Sequence, residues 1–222
     1  MLETFNFRVI LEYMPLYLQC FTATLWLSAV SLIGALSVGI VACAMRLSQS
    51  RIVSRISGIY IESIRSTPLL AQLYFFYFGL PSLGIRLPEA VTGILALTLN
   101  SGAYYAEIIR AGIQAIPYGQ IEAGIASGLN YFQRMRFIVL PQALGLTIKP
   151  MLGQAIVLVK DSSLLSLISI MELTRAGQLL TSDRFMPAEG FLTTAAFYLV
   201  VYYILKSISG WSEKRLIFRE AH

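Results

Sequence analysis

"IEAGIASGLNYFQRMRFIVLP" occupies Ile121 to Pro141, in the middle of a chain that is otherwise mostly apolar. It carries one acidic residue, two glycines, two arginines and a closing proline, with small residues where a membrane span would have large ones. Pro117 suits the first turn of a helix, where a missing N–H costs nothing, and Glu122 falls near that helix's positive N-terminal end. The spacing predicts a helix from Pro117 through Ala126, closed by Gly128 in the left-handed conformation. A second short helix, Tyr131 to Phe137, then turns away toward the apolar run that follows. Ala123, Ala126 and Ser127 stand at i, i+3 and i+4 and form one small-residue face that lets another backbone approach closely. A plain helical hairpin explains any one of these features; a socket for a partner explains why a hydrophobic chain interrupts itself to make them.

Around this patch, 56% of the 222 residues are hydrophobic and only 13% are charged, against roughly 25% charged in an ordinary soluble domain. Such a chain has too little polar surface to cover a globular core, and its mean hydropathy is positive. The composition predicts an all-α integral membrane protein. The net charge of +5 does not gather into one basic face, so nucleic acid is not an expected partner. Cys20 and Cys43 fall in one apolar segment, roughly 35 Å apart on a continuous helix, beyond disulfide reach. The single histidine, His222, is the last residue, which excludes a His-built metal site. The opening "MLETFNFRVILEYMP" lacks a positive n-region and precedes too long an apolar run for a secretory signal, so it reads as mature protein.

A crossing helix needs about 20 mainly apolar residues. Five segments meet this: Tyr17 to Met45; one ending in "PLLAQLYFFYFGLP" (Pro68 to Pro81) that draws its length from the amphipathic "ISGIYIESI" before it; Val91 to Ile109; Phe137 to Val159, containing Pro141 and Pro150; and Phe191 to Ile208. Lys and Arg accumulate after spans one, three and five, ten residues against the four in the alternate loops (Arg8, Arg86, Arg175, Arg184). By the positive-inside rule the N-terminus lies outside and the C-terminus in the cytoplasm, and the polar stretch from Ile121 to Pro141 is cytoplasmic. Residues 162–185 read as a shallow or re-entrant external helix. No internal repeat appears, and residues 1–222 form one expected domain with the polar loop at about 117–136.

Glu122-Ala123-Gly124, three residues, Gly128, nine residues, then Ile138-x-Leu140-Pro141 resembles the EAA motif of permease subunits in binding-protein-dependent ABC importers. The third motif position is Gly124 where that family usually has Ala. "RSTPLLAQLYFFYFGLP", "NSGAYYAEIIRAGIQAI", "GQIEAG", "LPQAL" and "KDSSL" extend the resemblance over roughly Arg65 to Leu164, toward the polar amino acid branch with its histidine, glutamine, arginine and cystine permeases. The resemblance implies the type I importer permease fold, with about five transmembrane helices. It also implies that Glu122, Ala123, Gly124, Ala126, Gly128, Leu140 and Pro141 belong to a coupling loop that docks into a cleft on a cytoplasmic ATPase.

An ionisable group near the bilayer centre costs at least ~2.5 kcal/mol, so each needs a partner or a task. Asn100, Tyr104 and Glu107 share one face of span three, and Lys160, Asp161 and Ser162 end span four. Glu107 or Asp161 suits an ammonium, while Lys160, Asn100 and Ser162 suit a carboxylate. The competing reading is structural: Glu107 bonds Arg110 one turn on, and Lys160 and Asp161 pair with neighbours at the membrane interface. The resemblance implies an amino acid pocket near Asn100, Glu107, Lys160 and Asp161. Arg65 reads as structural, and Pro68 as a kink in span two.

No G-x-x-x-x-G-K-[ST] occurs, so ATP is expected to be bound and hydrolysed by a separate subunit. No Cys/His nucleophile pair and no His/carboxylate metal cluster is present either, and no cofactor or catalytic residue is expected. Five spans are few to enclose a solute path, which points to a dimer with an identical or homologous mate. The implied partners are a cytoplasmic ABC ATPase, an external solute-binding protein, membrane lipids and a polar amino acid. Two rivals remain at the sequence level: an ion-gradient-driven secondary transporter subunit, and a membrane anchor that merely holds an ATPase.

Overall fold

The computed structural model describes the backbone of residues 5–220 and the side chains through residue 208. The first four residues, His222 and the side chains of Lys214, Arg215 and Arg219 lie outside the described residues. Ten α-helices and no strand are found among the described residues: α1 (Phe7–Arg46), α2 (Arg51–Arg65), α3 (Leu69–Tyr74), α4 (Leu80–Ser82), α5 (Glu89–Gln114), α6 (Tyr118–Ala126), α7 (Tyr131–Arg134), α8 (Leu140–Asp161), α9 (Leu173–Arg184) and α10 (Pro187–Glu220).

α1 starts ten residues before the expected span. Asn6 stops the chain entering the helix by accepting the Arg8 N–H at 3.1 Å, a side-chain N-cap, and Arg46 closes the last turn where the helix dipole favours a cation. Three helical stretches, Phe7–Arg46, Tyr131–Ile168 and Pro187–Ile208, are long and apolar enough to cross a bilayer. α5 has the length, at 26 residues, but Asn100, Ser101, Tyr104 and Glu107 dilute its hydropathy.

The second expected segment is split. Its helix stops at Arg65 and restarts at Leu69, because Pro68 takes an extended conformation (φ −62°, ψ 138°) as the N-cap of α3. Gln72 holds the break by donating to the Thr67 hydroxyl at 2.8 Å and to its carbonyl at 3.1 Å. Pro68 therefore separates two helices where the sequence suggested a kink in one.

Twice the helical ladder widens into a π turn, at Phe75–Gly79 and Met135–Val139. Each is followed by Leu-Pro, at Leu80–Pro81 and Leu140–Pro141. Proline has no N–H to donate, and its ring crowds the carbonyl four residues back. In the wider turn, Leu80 and Leu140 donate instead to Phe75 and Met135, five residues back. The chain thus passes Pro141 unbroken, and α7 is the first turn of the column that continues as α8. The expected separate helix from Tyr131 to Phe137 is corrected accordingly.

Two compact units make up the chain: Met1–Gly34, Thr67–Thr98 and Ala155–Leu205 form one, and Ala35–Ser66, Leu99–Gln154 and Lys206–His222 the other. In the first, Leu27, Leu73, Ala96, Leu97, Leu165 and Ile168 build one core, and Tyr17, Cys20, Leu173, Ala176 and Leu180 another. Residues 162–185, expected as a shallow or re-entrant helix, instead form a 3-10 turn (Ser162–Ile168), a left-handed break at Ser169 (φ 64°) and α9, which is too short to cross and is C-capped by Phe185. Glu172 caps α9: its carboxylate accepts the N–H groups of Thr174 and Arg175 at 2.9 and 2.8 Å and the Tyr198 hydroxyl at 2.8 Å. Burial outside the spans pushes this carboxyl up to about 7.

The second unit is centred on Ala42, Cys43, Ile61 and Ala106, with Ile116, Val139 and Ala143 packed beneath the polar loop. Its hydroxyls bond backbone carbonyls across helices: Ser57 to Ala42 at 2.6 Å, Tyr60 to Leu99 at 2.6 Å and Tyr105 to Met151 at 3.1 Å. Where no water is available, such bonds satisfy groups that would otherwise be stranded. Cys20 and Cys43 are both free, buried thiols.

Candidate functional site

The loop after α5 is built by its own punctuation. Pro117 (φ −57°, ψ 132°) precedes α6 and accepts the Gln120 N–H at 3.0 Å. At the other end the Leu129 N–H reaches the Gly124 carbonyl at 3.0 Å, and the Gly128 N–H reaches that of Ile125 at 2.9 Å. This crossed pair is a Schellman closure, and it requires the φ of +75° that Gly128 adopts. Two residues on, Asn130 and Gln133 exchange side-chain and backbone bonds at 3.0 and 2.9 Å, a capping box that starts α7. Arg134 ties the corner by donating to the Leu129 carbonyl at 2.7 Å. Two caps placed back to back leave the bend little freedom.

The outward face of α6 carries Glu122, Ala123, Ile125, Ala126 and Ser127, all exposed. Gly124 does not share it. A Cβ at Gly124 would meet Ile138 Cδ1 at 2.7 Å and the Arg134 side chain at 3.2 Å, so this glycine faces inward and lets α6 close onto the helical column. Leu140 and Pro141 are exposed on that column. The structure also exposes large apolar groups along the loop and the column that sequence reasoning passed over: Ile125 is 52% exposed, Tyr131 59%, Phe132 80% and Phe137 65%. The N-x-x-Q spacing of Asn130 and Gln133 was the signal available for the second cap.

The polar residues of the spans divide between the two units. In one, Glu107 is held by Arg110 through both oxygens, at 2.9 and 2.7 Å, with Arg65 3.7 Å away. The Arg65 guanidinium also sits 5.3 Å from the centre of the Tyr104 ring, a cation–π distance. Glu107, Arg110 and Arg65 line a cavity of about 400 Å³ together with Arg46, Glu62 and Ser66. Asn100 is buried at 5% exposure on the same helix, and Gln154 donates to Ser101 at 3.5 Å. In the other unit Lys160 is exposed, Asp161 half-buried and Ser162 buried with its hydroxyl on the Val159 carbonyl at 2.7 Å.

Helices of bilayer length, polar side chains within them and an exposed, doubly capped helix pair describe a membrane permease subunit. The family model described as "Binding-protein-dependent transport system inner membrane component" matches residues 35–218, and the chain belongs to that family. It is 36% identical over 211 residues to the probable glutamine ABC transporter permease protein GlnM of Bacillus subtilis (strain 168), covering 95% of this chain and 98% of that one. It is 35% identical over 214 residues to the glutamine transport system permease protein GlnP of Escherichia coli (strain K12), covering 96% and 98%. Among solved structures, a chain from a crystal structure of an amino acid ABC transporter with histidines superposes with a TM-score of 0.91 at 33% identity, covering 96% of this chain and 99% of that one. A chain of the inward-facing MetNI methionine ABC transporter shares the fold, with a TM-score of 0.75 at 20% identity over 91% and 97% of the two chains. The fold class read from the sequence holds: an all-α inner-membrane permease of the type I importer architecture.

Proposed function

We propose that the chain is the membrane-spanning subunit of an ATP-driven importer for polar amino acids, and that residues 117–136 transmit the work of a separate ABC ATPase. The observation that carries this reading is the doubly capped bend at Gly128–Asn130, which holds an exposed small-and-aromatic face in fixed geometry. Glu122, Ala123 and Ala126 form the contact surface, while Gly124, Gly128, Leu140 and Pro141 hold its angle. ATP is bound by the partner, and the permease needs no cofactor of its own. The names of the similar proteins, glutamine and amino acid permeases, support the substrate class.

The whole chain acts as one permease domain, and two copies, or this chain and a homologous mate, enclose the path on a two-fold axis. Lys and Arg accumulation supports an N-terminus outside and a C-terminus in the cytoplasm. A loaded external binding protein docks near residues 82–89 and 173–189, and closure of the ATPases rocks the spans between two states that differ in their contacts. Asn100, Tyr104, Lys160, Asp161 and Ser162 line the solute path. Glu107, already paired with Arg110, orients Arg65 and Tyr104 beside it.

Reconstitution into liposomes tests the reading. Uptake of glutamine and other polar amino acids requires a cognate ATPase, ATP and the binding protein. Uptake that survives without ATP and collapses with an ion gradient would instead establish a secondary transporter.

A further inference from the structure

The second unit contains, beside the coupling column, a groove whose wall includes Tyr131 and Leu140 of that column. This apolar groove of about 690 Å³ is lined by Ile40, Ala44, Leu47, Ile113, Leu144 and Met151, among others, and its wall ends at Ser48 and Gln49. The same two residues begin a second depression, of about 630 Å³, lined by Arg46, Arg51, Arg55 and Glu62. Arg46 is partly committed, donating to the Ser54 hydroxyl at 3.0 Å. Arg51 and Arg55 are exposed and have no ion-pair partner among the described residues. α2 opens here as well, and its N-cap Ser50 makes no side-chain bond to the first turn, so the helix dipole adds to the positive potential.

From this juxtaposition of an apolar slot and a basic mouth we propose a binding site for one anionic phospholipid. An acyl chain fills the groove between α1, α5 and α8, and the phosphate rests on Arg51 and Arg55, with Arg46 behind. The charge argues for this occupant over a neutral lipid or a peptide segment. Three guanidiniums face one carboxylate, Glu62, at the end of the helices where basic residues gather, the arrangement that selects acidic headgroups between transmembrane helices. The groove is otherwise an apolar surface that a hydrocarbon chain covers without needing a hydrogen bond.

Native mass spectrometry of the purified full-length permease, titrated with phosphatidylglycerol and separately with phosphatidylcholine, tests the site. One retained phosphatidylglycerol per chain is expected, with phosphatidylcholine retained far less. Arg51→Gln with Arg55→Gln should weaken retention about twenty-five-fold, at roughly five-fold per surface arginine. Ala44→Trp, which fills the groove from an exposed position, should abolish retention while leaving the arginines in place. Equal retention of the two lipids, or phosphatidylglycerol binding unchanged in both variants, would overturn the assignment. Displacement of the lipid by inorganic phosphate, with Ala44→Trp binding as well as the parent, would show that the arginines take a free anion and would likewise overturn it.

Discussion

The bend at Gly128 offers a test in which sterics and backbone strain are already separated by the structure. A Cβ built at Gly128 meets nothing within 4 Å, so a substitution there creates no clash. What it does meet is a φ of +75°. A residue with a Cβ loses roughly 1–2 kcal/mol in the left-handed region, and a β-branched residue loses more. Asn tolerates that region best among the non-glycine residues. The series Gly128→Asn, Gly128→Ala and Gly128→Val should therefore rank in that order, with Ala lowering the population of the bent hairpin about 5- to 30-fold. The assay is uptake per ATP hydrolysed in liposomes containing the permease, its ATPase and its binding protein, alongside a check of membrane insertion. Uptake should fall along the series while insertion persists. Equal coupled transport by the Asn and Val variants would refute the argument that φ at this position fixes the docking angle.

Removing the second cap with Asn130→Ala should cost about 1 kcal/mol and weaken ATPase association, measured by co-purification in detergent. Glu107→Gln leaves two guanidiniums without their anion and should lower Tm and uptake while the ATPase stays bound; an unchanged Tm would count against the ion pair. Glu172 gives a pH dependence whose sign is fixed. Its carboxyl sits at about 7 in the folded chain, against 4.5 ordinarily, so the native state holds a proton that the unfolded state has released. Stability present below pH 4.5 is lost as pH rises through 7, by up to ~3 kcal/mol. Tm should decline from pH 5 to 8, and Glu172→Gln should flatten that slope.

What the sequence disclosed was mostly punctuation. Pro117 and Gly128 bracket α6 because proline and glycine act through the local backbone alone, and the apolar runs of α1, α8 and α10 need only counting. The break at Ser66–Pro68 was not legible in the same way. It depends on Gln72 folding back onto Thr67, and a proline after an amphipathic run reads equally well as a kink. The pairing of Arg65 with Glu107 joins residues far apart in sequence, so only the local half of that cluster, Glu107 with Arg110, was foreseeable. Gly124 entered the docking loop by its motif position alone, whereas its packing partner Ile138 turns it inward. Glu172 gave no periodic signal at all, since its partners are two N–H groups and a tyrosine on another helix.

The two π turns have a bearing on how such helices are compared and altered. Each holds one more residue than an α turn of the same rise, so side chains downstream fall one position, about 100°, out of step with those upstream. A helical wheel drawn continuously from Tyr131 through Asp161 misassigns every direction beyond Val139, whereas a single-residue deletion within Met135–Val139 would turn the π turn into an α turn and leave the rest of the column on its present azimuth.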